Sequence, residues 1–185
     1  MNGLSDYNHP CQGMADVFTM IEEFGSLEGR TVTYIGDANN VAISLMFACS
    51  KLGANYVFSG PEGYQLSAEV LQQGAIICEK TGGRVSTEQD PFSAVKNCDV
   101  IYTDTWTSMG QEEEAKHREK VFPPYQVNES LVAEANPDAI VMHCLPAHRG
   151  QEITDAVADG SHSRLFPQAH NRMHAQKGIL DYIFA

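Results

Sequence analysis

The sequence is short of basic residues, with 12 lysines and arginines against 24 acidic residues and a net charge of −12. A protein with this charge repels phosphate backbones, so we expect no nucleic-acid partner. The sequence also lacks an apolar run long enough to span a membrane, which excludes a membrane protein as the expected class. No apolar core of a secretory signal peptide stands near the start. We therefore expect a cytoplasmic protein that binds small molecules.

Cysteine is scarce and irregularly spaced. The five cysteines, at positions 11, 49, 78, 98 and 144, form no CxxC motif and are odd in number. This pattern excludes a disulfide framework and a zinc ribbon as expected structures, and it favours a reducing compartment. A zinc site built from His9, Cys11, His143 and His148 would have no recognised ligand spacing. We therefore predict no metal.

Alternating apolar and amphipathic segments predict strands that alternate with helices. The predicted strands are residues 31–35, 55–59, 75–78, 99–103 and 139–143. The predicted helices are residues 10–24, 41–52, 64–73, 91–96, 111–120, 128–135 and 167–184. Such alternation is typical of parallel strands with right-handed crossovers. We expect an α/β fold: a three-layer sandwich with a five-stranded, mainly parallel, Rossmann-like sheet in a single domain of residues 1–185.

A dinucleotide-binding fingerprint is missing after the first strand. The G-x-G-x-x-G pattern would need glycines where Ala38 and Val41 stand, so a nicotinamide cofactor is disfavoured and we predict no cofactor. Asp37 or Asn39 is expected to cap the following helix. Asn40 then lies in the first helical turn, where its amide could hold a substrate carboxylate.

Polar residues follow the fourth and fifth predicted strands, at the edge where parallel sheets bind ligands. Asp104 could accept an ammonium group there, or it could cap a surface turn. Cys144 could contact a substrate or serve a structural role. His143 precedes it directly, and neighbours on a strand point to opposite faces, so a catalytic Cys–His pair is not expected.

Two helix segments carry further polar candidates. His9 and Gln12 lie three residues apart at the start of the first helix, where they could reach an anionic ligand or act as solvated caps. Arg172 lies in the last helix. It is either a surface arginine or, near a phosphate, the strongest cation available.

Five motifs occur together in the order found in ornithine carbamoyltransferases, and the chain resembles that family from about Leu4 to the last helix. The motifs are His9-Pro-Cys-Gln12, Gly36-Asp-Ala-Asn-Asn40, Asp104-Thr-Trp-Thr-Ser-Met-Gly110, His143-Cys-Leu-Pro146 and Asn171-Arg172. Each motif alone is weak evidence. Their joint occurrence is specific to this family.

The resemblance implies a role for each motif. The carbamoyl phosphate-binding residues would be His9, Gln12, Cys144, the Leu145 backbone and Arg172. The residues that bind L-ornithine would be Asn40, Asp104, Ser108 and Met109. The catalytic set would comprise Cys144, Asp104, His9, Gln12 and Arg172. The implied reaction transfers a carbamoyl group to ornithine in arginine metabolism, giving citrulline.

The resemblance also implies what this sequence does not contain. The family has a preceding carbamoyl-phosphate domain with a Ser-Thr-Arg-Thr motif, which is absent here. Residues 1–25 would then form an interdomain helix, and residues 167–185 would pack on the missing domain. We expect a homotrimer for the complete enzyme and negligible turnover for this chain alone. The alternatives are a non-catalytic amino-acid-binding module or another carbamoyltransferase.

Overall fold

A computed structural model describes residues 2–107 and 112–185, except for the side chain of residue 112. In these ranges the strands are β1 Thr31–Ile35, β2 Asn55–Ser59, β3 Arg84–Thr87, β4 Val100–Thr103 and β5 Ile140–His143. The helices are α1 Pro10–Phe24, α2 Asn40–Lys51, α3 Ala68–Thr81, α4 Pro91–Val95, α5 Ala115–Val121, α6 Glu129–Val132, α7 Asp155–Ala158 and α8 Leu165–Phe184. Short 3₁₀ turns cover Glu112–Glu114 and Pro123–Tyr125.

The five strands form one sheet with the order β3-β2-β1-β4-β5, and every pair is parallel. The predicted α/β fold is confirmed. The chain builds β2 and β3 on one side of β1 and then crosses to the other side for β4 and β5. Adjacent crossovers leave the sheet in opposite directions at this point, which opens a crevice beyond the carboxyl ends of β1 and β4.

One predicted strand is wrong. Residues 75–78 lie inside α3, which also begins and ends later than the predicted helix over 64–73. Val70, Gly74 and Cys78 are buried at a spacing of four, whereas Ile76 is 49% exposed, so the apolar run follows a helical period. The true third strand is β3, an edge strand of exposed and half-exposed residues with no apolar signal.

Several helix boundaries also differ from the predicted ones. The segment predicted as a helix over 128–135 forms only the short α6, and the helix predicted over 111–120 begins as a 3₁₀ turn in its described part. The last helix begins two residues early, at Leu165. The first helix matches its predicted bounds, with Pro10 in its first turn and Gly25 (φ 77°) after its end.

Two apolar layers cover the faces of the sheet. Tyr34, Tyr102 and Met142 lie on one face with α1, α2 and α3. Their neighbours in the strands, Ile101 and Val141, point to the other face with α4, α6 and α7. Such alternation follows from the two-residue period of a strand. Among the described residues, no helix combines the length and the hydropathy required to cross a bilayer.

The first and last helices, α1 and α8, pack against each other, and polar side chains form hydrogen bonds between them. α8 buries Leu165, Gln168 and Asn171, whereas apolar residues on its other side, such as Leu180 at 45% exposure and Phe184 at 78%, remain exposed. That residues 167–185 pack on another domain stays a prediction.

Candidate functional site

The candidate site lies at the carboxyl edge of the sheet, where β1, β4 and β5 end in register. Ile35 pairs with Thr103, and Thr103 pairs with His143. Asp104 and Cys144 are the next residues after these paired ends, so the sheet itself places them side by side. Asp104 and Cys144 are in direct contact, which supports the hypothesis that the ends of these strands form one site.

Asp104 is 8% exposed, and its carboxylate is fixed by three donors. Oδ1 accepts hydrogen bonds from the Thr105 backbone N–H at 2.7 Å and from the Cys144 thiol at 2.9 Å. Oδ2 accepts one from Asn39 Nδ2 at 2.7 Å. A carboxylate can accept about four hydrogen bonds. Among the partners that the described residues provide, one acceptor position remains for a ligand, and a cationic group is the most suitable donor.

The Cys144 thiol is protonated at neutral pH. Burial raises its pKa well above the usual value, and the charge and hydrogen bond of Asp104 raise it further. A thiolate is the reactive form of cysteine. The thiol therefore serves as a hydrogen-bond donor, not as a nucleophile.

The neighbouring His143 is fully buried. Its Nδ1 accepts a hydrogen bond from the Leu145 backbone N–H at 2.8 Å, so the proton of a neutral ring is on Nε2, which lies 3.1 Å from Glu152 Oε1. Both ring nitrogens are thus engaged by groups other than the Cys144 thiol. That His143 and Cys144 form no catalytic pair stays a prediction.

Asp104, His143 and Cys144 bring possible metal-binding atoms within 4.8 Å of one another. Both nitrogens of His143 are already engaged, however, and the Cys144 thiol is protonated. This donor set does not suit a metal ion, because a coordinating thiol must lose its proton.

Asn39, and not Asn40, reaches the strand ends. Asn39 caps α2 by accepting hydrogen bonds from the N–H groups of Val41 and Ala42, while its Nδ2 contacts Asp104. One side chain thus fixes both the helix start and the carboxylate. Asn40 occupies the first turn, as expected, but its amide donates to the carbonyl of Ser5 at 2.8 Å.

His9, Gln12 and Arg172 form a second group. An Arg172 guanidinium N–H donates to Gln12 Oε1, and Gln12 is 1% exposed. Burial lowers the pKa of His9, and the charge of Arg172 lowers it further, while Asp104 acts in the opposite direction. The pKa of His9 therefore depends on the charges of both Arg172 and Asp104.

Two buried nitrogens of this second group have no hydrogen-bond partner among the described residues: His9 Nδ1 and Arg172 Nε. A buried polar atom without a partner is costly in a finished structure. The Arg172 Nε–H can donate to an oxygen of a ligand, and His9 Nδ1 can donate or accept according to its tautomer.

Ser108 and Met109, the other expected ornithine-binding residues, lie outside the described residues. Leu145 has a positive φ of 55°, and its N–H is directed to His143. The catalytic and binding roles of all these residues stay predictions.

Sequence reasoning missed an ion pair that supports the loop after β4. Arg118 is 4% exposed and donates to Asp37 at 2.6 Å and to the Trp106 carbonyl at 2.7 Å. Its guanidinium also lies 4.6 Å from the centre of the Tyr64 ring. The predicted charged helix was the available signal, but nothing in its spacing marked Arg118 as buried.

Comparison with known proteins identifies the family. Residues 28–183 match the aspartate/ornithine carbamoyltransferase family, Asp/Orn binding domain. The chain is 53% identical over 180 residues to the ornithine carbamoyltransferase of Thermococcus kodakarensis, covering 97% of this chain and 57% of the relative. Thus it spans little more than half the length of such relatives.

Comparison with solved structures identifies the same family. Ornithine carbamoyltransferase from Pyrococcus furiosus superposes with a TM-score of 0.93 at 52% identity, over 97% of this chain and 57% of that one. The enzyme from Giardia lamblia gives a TM-score of 0.91 at 33% identity, over 98% and 61%. The chain belongs to the ornithine carbamoyltransferase family and corresponds to its Asp/Orn-binding domain.

Proposed function

We propose that this chain is the ornithine-binding part of an enzyme that transfers the carbamoyl group of carbamoyl phosphate to the δ-amino group of L-ornithine. The products are L-citrulline and phosphate. The observation that carries the proposal is the ordered Asp104 carboxylate at the crevice beyond β1 and β4, whose donors in the described part of the chain leave one acceptor position free. The names of the relatives support the choice of ornithine as the substrate.

Asp104 would bind the α-ammonium group of ornithine. The three hydrogen bonds to this carboxylate are already in place, so the ligand meets an ordered partner and little reorganisation is needed. Cys144 would hold Asp104 in position and line the reacting region. In the reaction, the uncharged δ-amine of ornithine attacks the carbonyl carbon of carbamoyl phosphate and forms a tetrahedral oxyanion. The bond from that carbon to the phosphate oxygen then breaks, and phosphate leaves while the amine loses a proton.

His9, Gln12 and Arg172 would bind carbamoyl phosphate. Arg172 supplies a cation whose Nε–H has no partner among the described residues, and the same holds for Nδ1 of the His9 ring. Such groups orient the carbonyl and stabilise the charge that develops on it. Because the chain covers only 57% of its relatives, we propose that it has negligible turnover alone.

A second candidate is a non-catalytic amino-acid-binding module. The same preformed Asp104 cluster favours it, since ornithine affinity needs no second domain if the carboxylate is the main anchor. The two candidates share the binding step and differ in citrulline production.

Calorimetric titration of the chain with L-ornithine tests the shared step. We expect measurable binding, and we expect Asp104→Asn to weaken it by about ten-fold or more, because a hydrogen bond to a charged group contributes about 1.5–3 kcal/mol. Asp90→Asn is the matched control, since Asp90 is an exposed carboxylate that caps α4 and has no contact with Asp104 among the described hydrogen bonds. Equal affinity of the Asp104→Asn variant and the parent chain would remove Asp104 from the site.

A citrulline assay separates the two candidates. The chain is mixed with both substrates, and citrulline is measured at steady state. The enzyme-part proposal expects no turnover from this chain and full turnover when the sequence is extended to the length of its relatives. An extended protein that binds ornithine but forms no citrulline would favour the binding module.

A further inference from the structure

A carboxylate that the proposed reaction does not use lies beneath the site. Asp16 of α1 is fully buried and has three polar neighbours. Its Oδ1 accepts from Gln12 Nε2 at 2.6 Å and from Gln168 Nε2 at 2.7 Å. Its Oδ2 accepts from the Tyr102 hydroxyl at 3.1 Å. The three donors come from α1, α8 and β4, so Asp16 lies where these elements meet.

This arrangement determines which way two amide side chains face. An ionised carboxylate only accepts hydrogen bonds, so both glutamines must direct their NH₂ groups toward Asp16. Their carbonyl oxygens then point away. Gln12 Oε1 accepts from Arg172, and Gln168 Oε1 accepts from the backbone N–H of His143 at 2.9 Å.

We propose that Asp16 is a positioning residue whose ionised carboxylate sets the orientation of Gln12 and Gln168, and that a proton on it disturbs this orientation at one end of the site or the other. One end is the Gln12–Arg172 pair. The other is the end of β5, which carries Cys144. The consequence for carbamoyl phosphate rests on the proposed function, whereas the coupling itself is a property of the chain alone.

We expect the Asp16 carboxyl group to titrate near neutral pH. Burial raises the pKa of Asp16 to about 7, although its three hydrogen-bond donors and the charge of Arg172 act to lower it. The titratable and charged groups near Asp16 come from several elements; they are Cys49, Tyr102, Cys144 and Arg172. Burial raises the pKa of both thiols and of the Tyr102 hydroxyl, and an arginine stays charged.

The effect of a proton depends on the oxygen that carries it. A proton on Oδ2 would face the Tyr102 hydroxyl, which can accept it. A proton on Oδ1 would face the two glutamines, and one amide must then turn its carbonyl inward and its NH₂ group outward. If Gln12 turns, its NH₂ group faces the Arg172 guanidinium, and two donors then oppose each other. If Gln168 turns, the N–H of His143 loses its acceptor. Either turn leaves a buried donor without a partner, which is unfavourable.

Nuclear magnetic resonance of the 185-residue chain without ligand tests the coupling. The side-chain NH₂ signals of Gln12 and Gln168 and the backbone N–H of His143 are followed from about pH 5 to about pH 9, across the expected pKa. We expect all three to shift with one common midpoint near 7. In Asp16→Asn the common shift should disappear.

Two further variants keep the test decisive. Tyr102→Phe removes one hydrogen bond that favours the ionised form, so the midpoint should rise by about one pH unit if Asp16 is the titrating group. This result is informative even if Asp16→Asn fails to fold. His9→Gln should leave the midpoint in place, which excludes the His9 imidazole as its source.

Separate midpoints for the three signals, or a common shift that persists in folded Asp16→Asn, would overturn the proposal. An unmoved midpoint in Tyr102→Phe would overturn it as well. The experiment uses no substrate, so its result is independent of ornithine binding. A chain that shows the common midpoint but binds no ornithine would refute the proposed function alone.

Discussion

The Cys144 thiol donates a hydrogen bond to Asp104 Oδ1 at 2.9 Å. The bond joins the ends of β4 and β5 and orders the carboxylate at the centre of the site. It also keeps the thiol protonated, because a neighbouring negative charge opposes the formation of a thiolate.

Cys144 should therefore react slowly with alkylating agents. At neutral pH we expect iodoacetamide to modify Cys144 about ten-fold or more slowly than Cys11, which has the same intermediate exposure but no carboxylate bonded to its thiol among the described residues, since only thiolates react readily. Asp104→Asn removes two of the causes that raise the thiol pKa, so modification of Cys144 should become faster while Cys11 is unchanged. Mass spectrometry of the peptides measures both rates. Rapid modification of Cys144 in the parent chain would contradict this account.

Removing Arg118 should strongly destabilise the chain. Arg118→Ala leaves the Asp37 carboxylate buried without its cation, and such losses cost about 3–5 kcal/mol. Urea unfolding followed by circular dichroism measures the change. The double variant with Asp37→Asn should recover part of it, because no buried charge then remains unpaired. Arg149→Ala, at an exposed ion pair, is the control and should change stability little. Equal losses in the two arginine variants would contradict the prediction.

The free energy of unfolding should depend on pH through the titration of Asp16. Its pKa is about 7 when folded and 3.8 when unfolded, so between these values the folded state holds the proton more tightly. The Asp16 contribution therefore falls as pH rises through this window, with a slope of up to about 1.4 kcal/mol per pH unit, and is constant above it. Urea titrations at several pH values, compared with Asp16→Asn, isolate this contribution. A constant difference between the two proteins would contradict the raised pKa.

Glu152 should be needed to hold the segment after β5. It is fully buried and accepts from His143 Nε2 and from the His148 backbone N–H. Glu152→Ala leaves both donors without a partner, at about 1–3 kcal/mol for each one that stays buried. Glu152→Gln should cost less, because its amide oxygen still accepts a hydrogen bond. Urea unfolding compares the two variants with Glu129→Ala, an exposed control. A smaller loss in Glu152→Ala than in Glu152→Gln would refute the assignment.

The sequence was sufficient for β1, β2, β4 and β5 and for the edge of the sheet at which the candidate site lies. Strong apolar segments such as Thr31–Ile35 and Asn55–Ser59 have the observed bounds because their β-branched and aromatic residues favour strands. The weak edge strand β3 could not be found in the same way. Its pairing with β2 comes from the fold and not from its own composition.

The contacts beneath the site could not be predicted from the sequence, for a different reason. Asp16 and Gln168 lie 152 positions apart in the sequence, and no local pattern links them. Asn39 was expected only to cap α2, since its second bond, to Asp104, depends on the pairing of β1 with β4. Local signals predicted which residues are polar at strand ends, but only the assembled sheet shows which of them touch.

The bond between Asp16 and Gln168 joins the first helix to the last. The carboxylate of α1 gains this partner only once α8 has been made and has packed. A molecule clipped before residue 165 would contain the five described strands and still lack the amide that supports His143. The five strands alone are therefore not sufficient to complete the cleft.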